Sequence, residues 1–279
     1  MAPLRFTKMH GIGNDYVYVD CFSQVVSDPS ALARRVSPRR TGIGSDGLIL
    51  ICPSRIADCR MEMYNADGSR GDMCGNGIRC VGKYVYDHGL ARREGLQIET
   101  DVGVKTLQLR VADGRAIGAT VDMGEPILDG PQIPVDAEGR VINAPLVIDG
   151  HTHHVTCVSM GNPHCVVFVP SVAELALDAL GPRFEWHSFF PKRVNTEFVE
   201  VLDRRALRMR VWERGSGETA ACGTGACAAL VAAVLTGRSD RHAVVHLTGG
   251  DLEIAWDAQT NHVLMTGPAE EIFSGEWPA

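Results

Sequence analysis

Cys74 and Cys222 are the residues of this chain best placed to do chemistry, because their settings repeat. Cys74 lies in NADGSRGDMCGNGIRC (Asn65 to Cys80) and Cys222 in RGSGETAACGTGACAA (Arg214 to Ala229). Each thiol stands beside glycines just ahead of an apolar run, at an expected helix start. Free backbone N–H groups and the helix dipole favour negative charge there. A thiol so placed has its pKa drawn below the free value of about 8.5, so thiolate becomes available near neutrality. The same N–H groups, unobstructed at Gly75, Gly77, Gly223 and Gly225, can bind a carboxylate.

Two such thiols answer the needs of one reaction type. Inverting a carbon stereocentre by proton transfer requires a base on one face and an acid on the other. A thiolate and a thiol brought face to face supply both and exchange roles when the reaction reverses. A carboxylate held at the helix starts would position the carbon, and developing enolate charge would meet the same N–H groups. Lys8, Lys83, Lys105 and Lys192 all lie outside the two turns, so no lysine there offers a pyridoxal Schiff base. The chemistry expected is racemisation or epimerisation with no cofactor and no metal. Opposed thiols would also be able to oxidise to a Cys74–Cys222 disulfide when the site is empty.

The elements that must position these residues repeat as well. A shift of 148 residues sets Gly13-Asn14 on Gly161-Asn162, Cys74-Gly75 on Cys222-Gly223, Gly77 on Gly225, Gly89 on Gly237 and Thr100 on Thr248, without a gap. We read two homologous halves, residues 1–122 carrying Cys74 and 123–266 carrying Cys222, with a tail over 267–279 that returns to the first half. The join falls in the Pro- and Gly-rich DMGEPILDGPQIP. YVYVDCF, GLILIC, LQIET and TLQLRV in the first half read as short strands. HHVTCVSM, HCVVFV, TEFVEVL and LRMRVW in the second read the same way. Ile78, Val81 and Val85 recur at helical spacing after Cys74, with Gly89 to stop the helix. The run from Ala226 to Leu235 is apolar nearly all round, so its helix must be enclosed on every face. The fold class expected is α+β: two pseudo-symmetric halves, each a mainly antiparallel sheet curled around one central helix.

Bulk properties narrow the partners. Of 279 residues, 45% are hydrophobic and 22% charged, the net charge is −7 and the pI about 5.8. That balance disfavours nucleic acid. The longest strongly apolar run falls short of the roughly 20 residues that span a bilayer, and the N-terminus lacks the apolar core of a signal peptide. Nine cysteines fit reduced thiols in a cytoplasm. A small-molecule substrate in the cytoplasm is the expectation.

GNDYVYVD, YNADGSRGDMCGNGIRC, GNPHCV, VNTEFV and WERGSGETAACGTGA, spread from Lys8 to about Gly267, closely resemble the diaminopimelate epimerase family. The resemblance implies interconversion of LL- and meso-diaminopimelate, a cofactor-free homodimer, and a role in lysine and peptidoglycan synthesis. It makes Cys74 and Cys222 the acid/base pair, assisted by His164 and Glu213. It makes Asn14, Asn65, Asn162, Asn195 and Arg214 substrate ligands, with Arg214 suited to a bidentate pair with the distal carboxylate. The backbone around Gly75-Asn76 and Gly223-Thr224 would take the carboxylate on the reacting carbon. Gly47 stands where some members carry a glutamine.

Other signals are weaker. GIGSDG (Gly42 to Gly47) matches a dinucleotide-binding glycine pattern but precedes a strand, not a helix. HTHHVTC lacks a zinc-type partner downstream. The pairs Cys74/Cys80 and Cys222/Cys227 lack C-x-x-C spacing. The competing functions are a racemase of the proline or hydroxyproline type, a two-lobed amino-acid-binding protein without catalysis, and a thiol redox enzyme. Arg214 and the asparagines speak for a second polar end on the substrate, which proline lacks.

Overall fold

The computed structural model describes residues 3–71 and 73–278. Asp72, within the first cysteine motif, lies outside them. The chain divides into two compact units, Met1–Asp122 with Thr266–Ala279, and Met123–Met265.

The first unit starts with a hairpin of β1 (Leu4–Gly11) and β2 (Asn14–Asp20). Helix α1 (Pro29–Val36) then carries the chain to β3 (Gly47–Cys52), parallel to β2, and β3 turns back into β4 (Cys59–Asn65). After the two-residue β5 (Arg70–Gly71) comes helix α2 (Gly75–Asp87), which delivers the chain to β6 (Gly95–Thr100), parallel to β4. β7 (Gly103–Ala112) and β8 (Arg115–Asp122) continue as antiparallel neighbours.

The second unit repeats this route. After β9 (Ala144–Ile148), β10 (His151–Ser159) and β11 (Pro163–Phe168) form the hairpin. α3 (Leu177–Glu185) leads to β12 (Asn195–Asp203), parallel to β11, which turns back into β13 (Ala206–Glu213). β14 (Gly217–Thr219) precedes α4 (Gly223–Leu235), and β15 (His242–Leu247) runs parallel to β13 before turning into β16 (Gly250–Trp256). β17 (Val263–Pro268) straddles the division, and β18 (Glu270–Trp277) pairs antiparallel with β1 from Leu4↔Trp277 to His10↔Glu270. The fold is α+β with mixed sheet, mostly antiparallel.

Each unit carries a second helix beyond the central one expected, and this corrects the one-helix reading. Asp28 caps α1 by accepting from the Ala31 N–H at 2.9 Å, with Pro29 in the first turn. Ala33 and Val36 of α1 pack with Val17, Val19, Leu48 and Leu50. The alternate residues Tyr18 and Ile49 turn to the other face, where Gly77 of α2 lies. Strands covered on both faces have no polar side to show, which is why YVYV and LILI read as continuous apolar runs. In the second unit Phe184 of α3 meets Phe198 of β12 edge-on at 5.5 Å, within a cluster holding Cys165 and Val167. α4 is buried from Gly225 through Ala233 and touches β10, β11, β12, β13, β15 and β16. A helix apolar all round is thus enclosed all round. No helix among the described residues is long and apolar enough to cross a membrane.

Candidate active site

The repeated Gly-Asn sits in the β1–β2 turn of the first unit and the β10–β11 turn of the second. Gly13 and Gly161 have φ of +84° and +101°, left-handed values that favour glycine. Each turn releases an asparagine at the mouth of a strand, and each asparagine meets a different partner.

In the first unit Asn14 Nδ2 donates to Asp46 Oδ2 at 2.8 Å, leaving Oδ1 to accept from Cys74 Sγ at 3.3 Å and from Asn76 Nδ2 at 3.4 Å. Cys74 is the N-cap of α2, and its sulfur accepts from the Gly77 N–H at 3.3 Å. Neither α2 nor α4 has an acidic side chain in its first turn, so the positive dipole end is open to an anion from outside. Arg79, fully buried, braces the α2 turn: it donates to the Gly75 carbonyl at 3.0 Å, Asn76 Oδ1 at 3.1 Å and the Pro268 carbonyl at 3.1 Å. Asn65 ends β4, donates to Ser69 Oγ at 2.9 Å, and pairs across the strands with Gly47. Gly47 is sterically required here. A Cβ would lie 2.2 Å from the Tyr64 carbonyl oxygen and 2.9 Å from the Tyr16 ring. Burial pushes the Tyr16 phenol well up, and the neighbouring Cys74 and Asp46 push the same way.

In the second unit Asn162 turns its Oδ1 to His164 Nε2 at 2.9 Å. His164 Nδ1 lies 2.7 Å from Glu197 Oε1, and both residues are fully buried. Asn195 accepts from the Arg214 backbone N–H at 2.8 Å and donates to the Pro163 carbonyl at 3.2 Å. The Arg214 side chain is exposed, its Nη1 donating to the Lys192 carbonyl at 3.1 Å. Glu213 ends β13 and accepts from Thr219. Cys222 is the N-cap of α4 and is 5% exposed; its Sγ lies 3.5 Å from Thr224 Oγ1. Burial pushes the Cys222 thiol well up, with Glu213 and then Glu197 adding to it. Burial also raises the Glu213 carboxyl, against the pull of Thr219 and His164. Cys21, Cys52, Cys59, Cys80, Cys157, Cys165 and Cys222 stand as thiols outside any disulfide.

The candidate residues therefore fall into two half-sites, with Asn14, Asn65, Cys74, Gly75 and Asn76 in one unit, and Asn162, His164, Asn195, Glu213, Arg214, Cys222, Gly223 and Thr224 in the other. They can each hold an anion at a helix start and present a thiol beside it. The model of the family described as diaminopimelate epimerase matches residues 6–128 and 156–272. The chain belongs to the diaminopimelate epimerase family. It is 57% identical over 274 residues to the diaminopimelate epimerase of Acetivibrio thermocellus, covering 98% of each chain. It is 56% identical to that of Agathobacter rectalis, covering 98% of this chain and 99% of the relative. Members of this family are isomerases, and so is this enzyme. Its fold is shared with a hydroxyproline epimerase from Agrobacterium vitis solved with trans-4-hydroxy-L-proline (TM-score 0.71, 15% identity, 98% of this chain and 90% of that one).

Four residues at the half-sites escape a motif-based reading: Asp46, Tyr16, Arg79 and Glu197. Asp46 sits within GIGSDG, whose glycine spacing matches a nucleotide-binding pattern and says nothing of the aspartate. Glu197 lies two residues from Asn195 in TEFVEV, and nothing in that strand pattern marks it as part of the site.

Proposed function

We propose that the protein interconverts LL- and meso-diaminopimelate by a two-base mechanism with Cys74 and Cys222 as the acid/base pair. One cysteine, as thiolate, takes the α-proton; the electron pair left on carbon delocalises into the α-carboxylate. The other cysteine, as thiol, delivers its proton to the opposite face of the same carbon. One thiol and one thiolate remain, with their identities exchanged, so no external acid, base or cofactor is consumed. The N–H groups at Gly75-Asn76 and Gly223-Thr224 hold the reacting carboxylate and the charge that develops on it. Asn14, Asn65, Asn162 and Asn195 bind the polar groups of the substrate, and the exposed Arg214 guanidinium takes the distal carboxylate. His164 and Glu213 assist Cys222. The enzyme works as a cytoplasmic homodimer in lysine synthesis.

The observation that carries this reading is the recurrence of a cysteine N-cap on the central helix of each unit, in a chain more than half identical to named epimerases. Burial beside Glu213 and Glu197 favours the protonated form of Cys222 in the free enzyme. The test is proton NMR of LL-diaminopimelate with reduced enzyme in deuterated water. Exchange of the α-hydrogen and appearance of meso product with wild type, and loss of meso product with Cys74→Ala or Cys222→Ala, is the expected result. Substrate binding by wild type without α-hydrogen exchange would point to a binding protein. Turnover of proline in place of diaminopimelate would point to the other racemase type.

A further inference from the structure

Glu197 lies in β12 at the middle of the second unit, fully buried, one strand away from His164. A carboxylate without water is costly unless a charged or strongly donating group compensates it. Glu197 Oε1 has His164 Nδ1 at 2.7 Å, while Oε2 has no hydrogen-bond partner among the described residues. The whole compensation therefore falls on one imidazole. That ring has an acceptor at each end, because Nε2 faces Asn162 Oδ1 at 2.9 Å. A neutral imidazole donates from only one nitrogen, so satisfying both acceptors takes the doubly protonated ring. The other titratable groups facing Glu197 are Cys165 on β11, Glu213 on β13 and Cys222 ahead of α4, none of them a cation.

The niche is made at the expense of a side chain. A Cβ on Gly225 would lie 2.7 Å from Glu197 Oε1 and 3.2 Å from Cys222 Sγ. In the first unit the corresponding Gly77 would place its Cβ 2.6 Å from Ile49 Cδ1. The 148-residue register that sets Cys222 on Cys74 also sets Glu197 on Ile49 and His164 on Tyr16. The same fold thus builds this niche once with an aliphatic and an aromatic residue and once with a buried ion pair. Hydrophobic replacement of buried ion pairs is often neutral or stabilising, so the ionic version is not explained by folding.

We propose that Glu197 is a positioning residue of the epimerase site: it holds His164 as a double donor, and His164 holds Asn162 with Oδ1 turned in and the amide NH2 turned out. Asn14 is held the other way round, because Asp46 can only accept and so takes its NH2. The two equivalent asparagines are thus held in opposite senses, Asn14 by its NH2 and Asn162 by its carbonyl oxygen, which leaves the Asn162 NH2 for the substrate. This rests on the reading of Asn162 as a substrate ligand.

The test uses 15N-histidine-labelled full-length enzyme at neutral pH, with His164 assigned by the loss of its signals in His164→Gln. Wild type is expected to show both His164 nitrogens as protonated donors. In Glu197→Gln, isosteric but uncharged, one nitrogen is expected to become an acceptor. KM for diaminopimelate is expected to rise about tenfold or more, with kcat changed less. Glu197→Ile, copying the first unit, is the second variant; it is expected to unfold thermally like wild type yet show the same rise in KM. A neutral His164 in wild type, or a wild-type KM in either folded variant, overturns the proposal. The NMR arm needs no substrate, so failure of wild type to turn over diaminopimelate would refute the function reading separately.

Discussion

Asp46 Oδ2 accepts from Asn14 Nδ2 at 2.8 Å and so commits the other end of that amide, Oδ1, to Cys74. A carboxylate has no hydrogen to give, so the amide cannot turn over while Asp46 is ionised. Arg39 Nη2 at 2.8 Å and the Asp15 backbone N–H at 3.1 Å fix the carboxylate itself. Asp46→Asn removes that constraint, because an amide can pair with either end of Asn14. We expect kcat/KM to fall about tenfold or more, with a urea midpoint close to wild type because Asp46 is partly exposed. Unchanged kcat/KM in a folded Asp46→Asn enzyme would show that Asn14 needs no such hold.

Gly77 and Ile49 form a second testable pair. The 2.6 Å separation between an added Cβ at position 77 and Ile49 Cδ1 leaves no room for Ala. Gly77→Ala is expected to destabilise by about 1–3 kcal/mol through overpacking. Ile49→Val deletes the offending methyl, so the double variant should recover part of that loss. Urea unfolding of all four members of the cycle reads the coupling. Strictly additive effects would mean that the clash is relieved elsewhere.

Much of this architecture was legible because the informative residues came in pairs. The helix starts at Cys74 and Cys222 carried both the repeat and the periodicity, and Gly89 and Gly237 follow the ends of α2 and α4 with φ of +75° and +70°. α3 was hidden because Gly181 and Pro182 interrupt its pattern; tertiary packing overrides them, with Gly181 set against the Trp212 ring. α1 had a visible signal in Asp28-Pro29, but eight residues give little periodicity to read. Glu197 and Asp46 were not legible as site residues because each acts through a neighbour, His164 or Asn14, that only the strand pairing brings alongside.

Alkaline stability should report on buried thiols. Burial pushes Cys80 up to about 11 and Cys59 up to about 12, from an ordinary value of 9.0. Above pH 9 the unfolded chain loses these protons while the folded protein keeps them. The folded state then binds more protons, and stability falls as pH rises, by about 1.4 kcal/mol per pH unit for each such thiol. For Cys80 the loss runs from about pH 9 to about pH 11. Cys80→Ala should therefore lower stability at pH 8 through its cavity yet show a shallower decline over that range. Parallel pH profiles of the urea midpoint for the two proteins would contradict a raised Cys80.

Glu213 gives a prediction in which reactivity and turnover part company. Its carboxylate is, after burial, the largest influence holding the Cys222 thiol in its protonated form. Glu213→Gln removes that charge while keeping the shape and the acceptor for Thr219. Without substrate, Cys222 should then ionise more readily, and iodoacetamide should label it several-fold faster at a fixed pH near 8. Turnover should fall all the same, because Glu213 then no longer keeps Cys222 protonated in the free enzyme to serve as acid. Mass spectrometry of the peptide carrying Cys222, with Cys74→Ala to silence the other thiol, reads the labelling rate. Slower labelling in Glu213→Gln would mean that the carboxylate acts chiefly as the acceptor of the Cys222 proton, a general base instead of a charge that holds the proton in place.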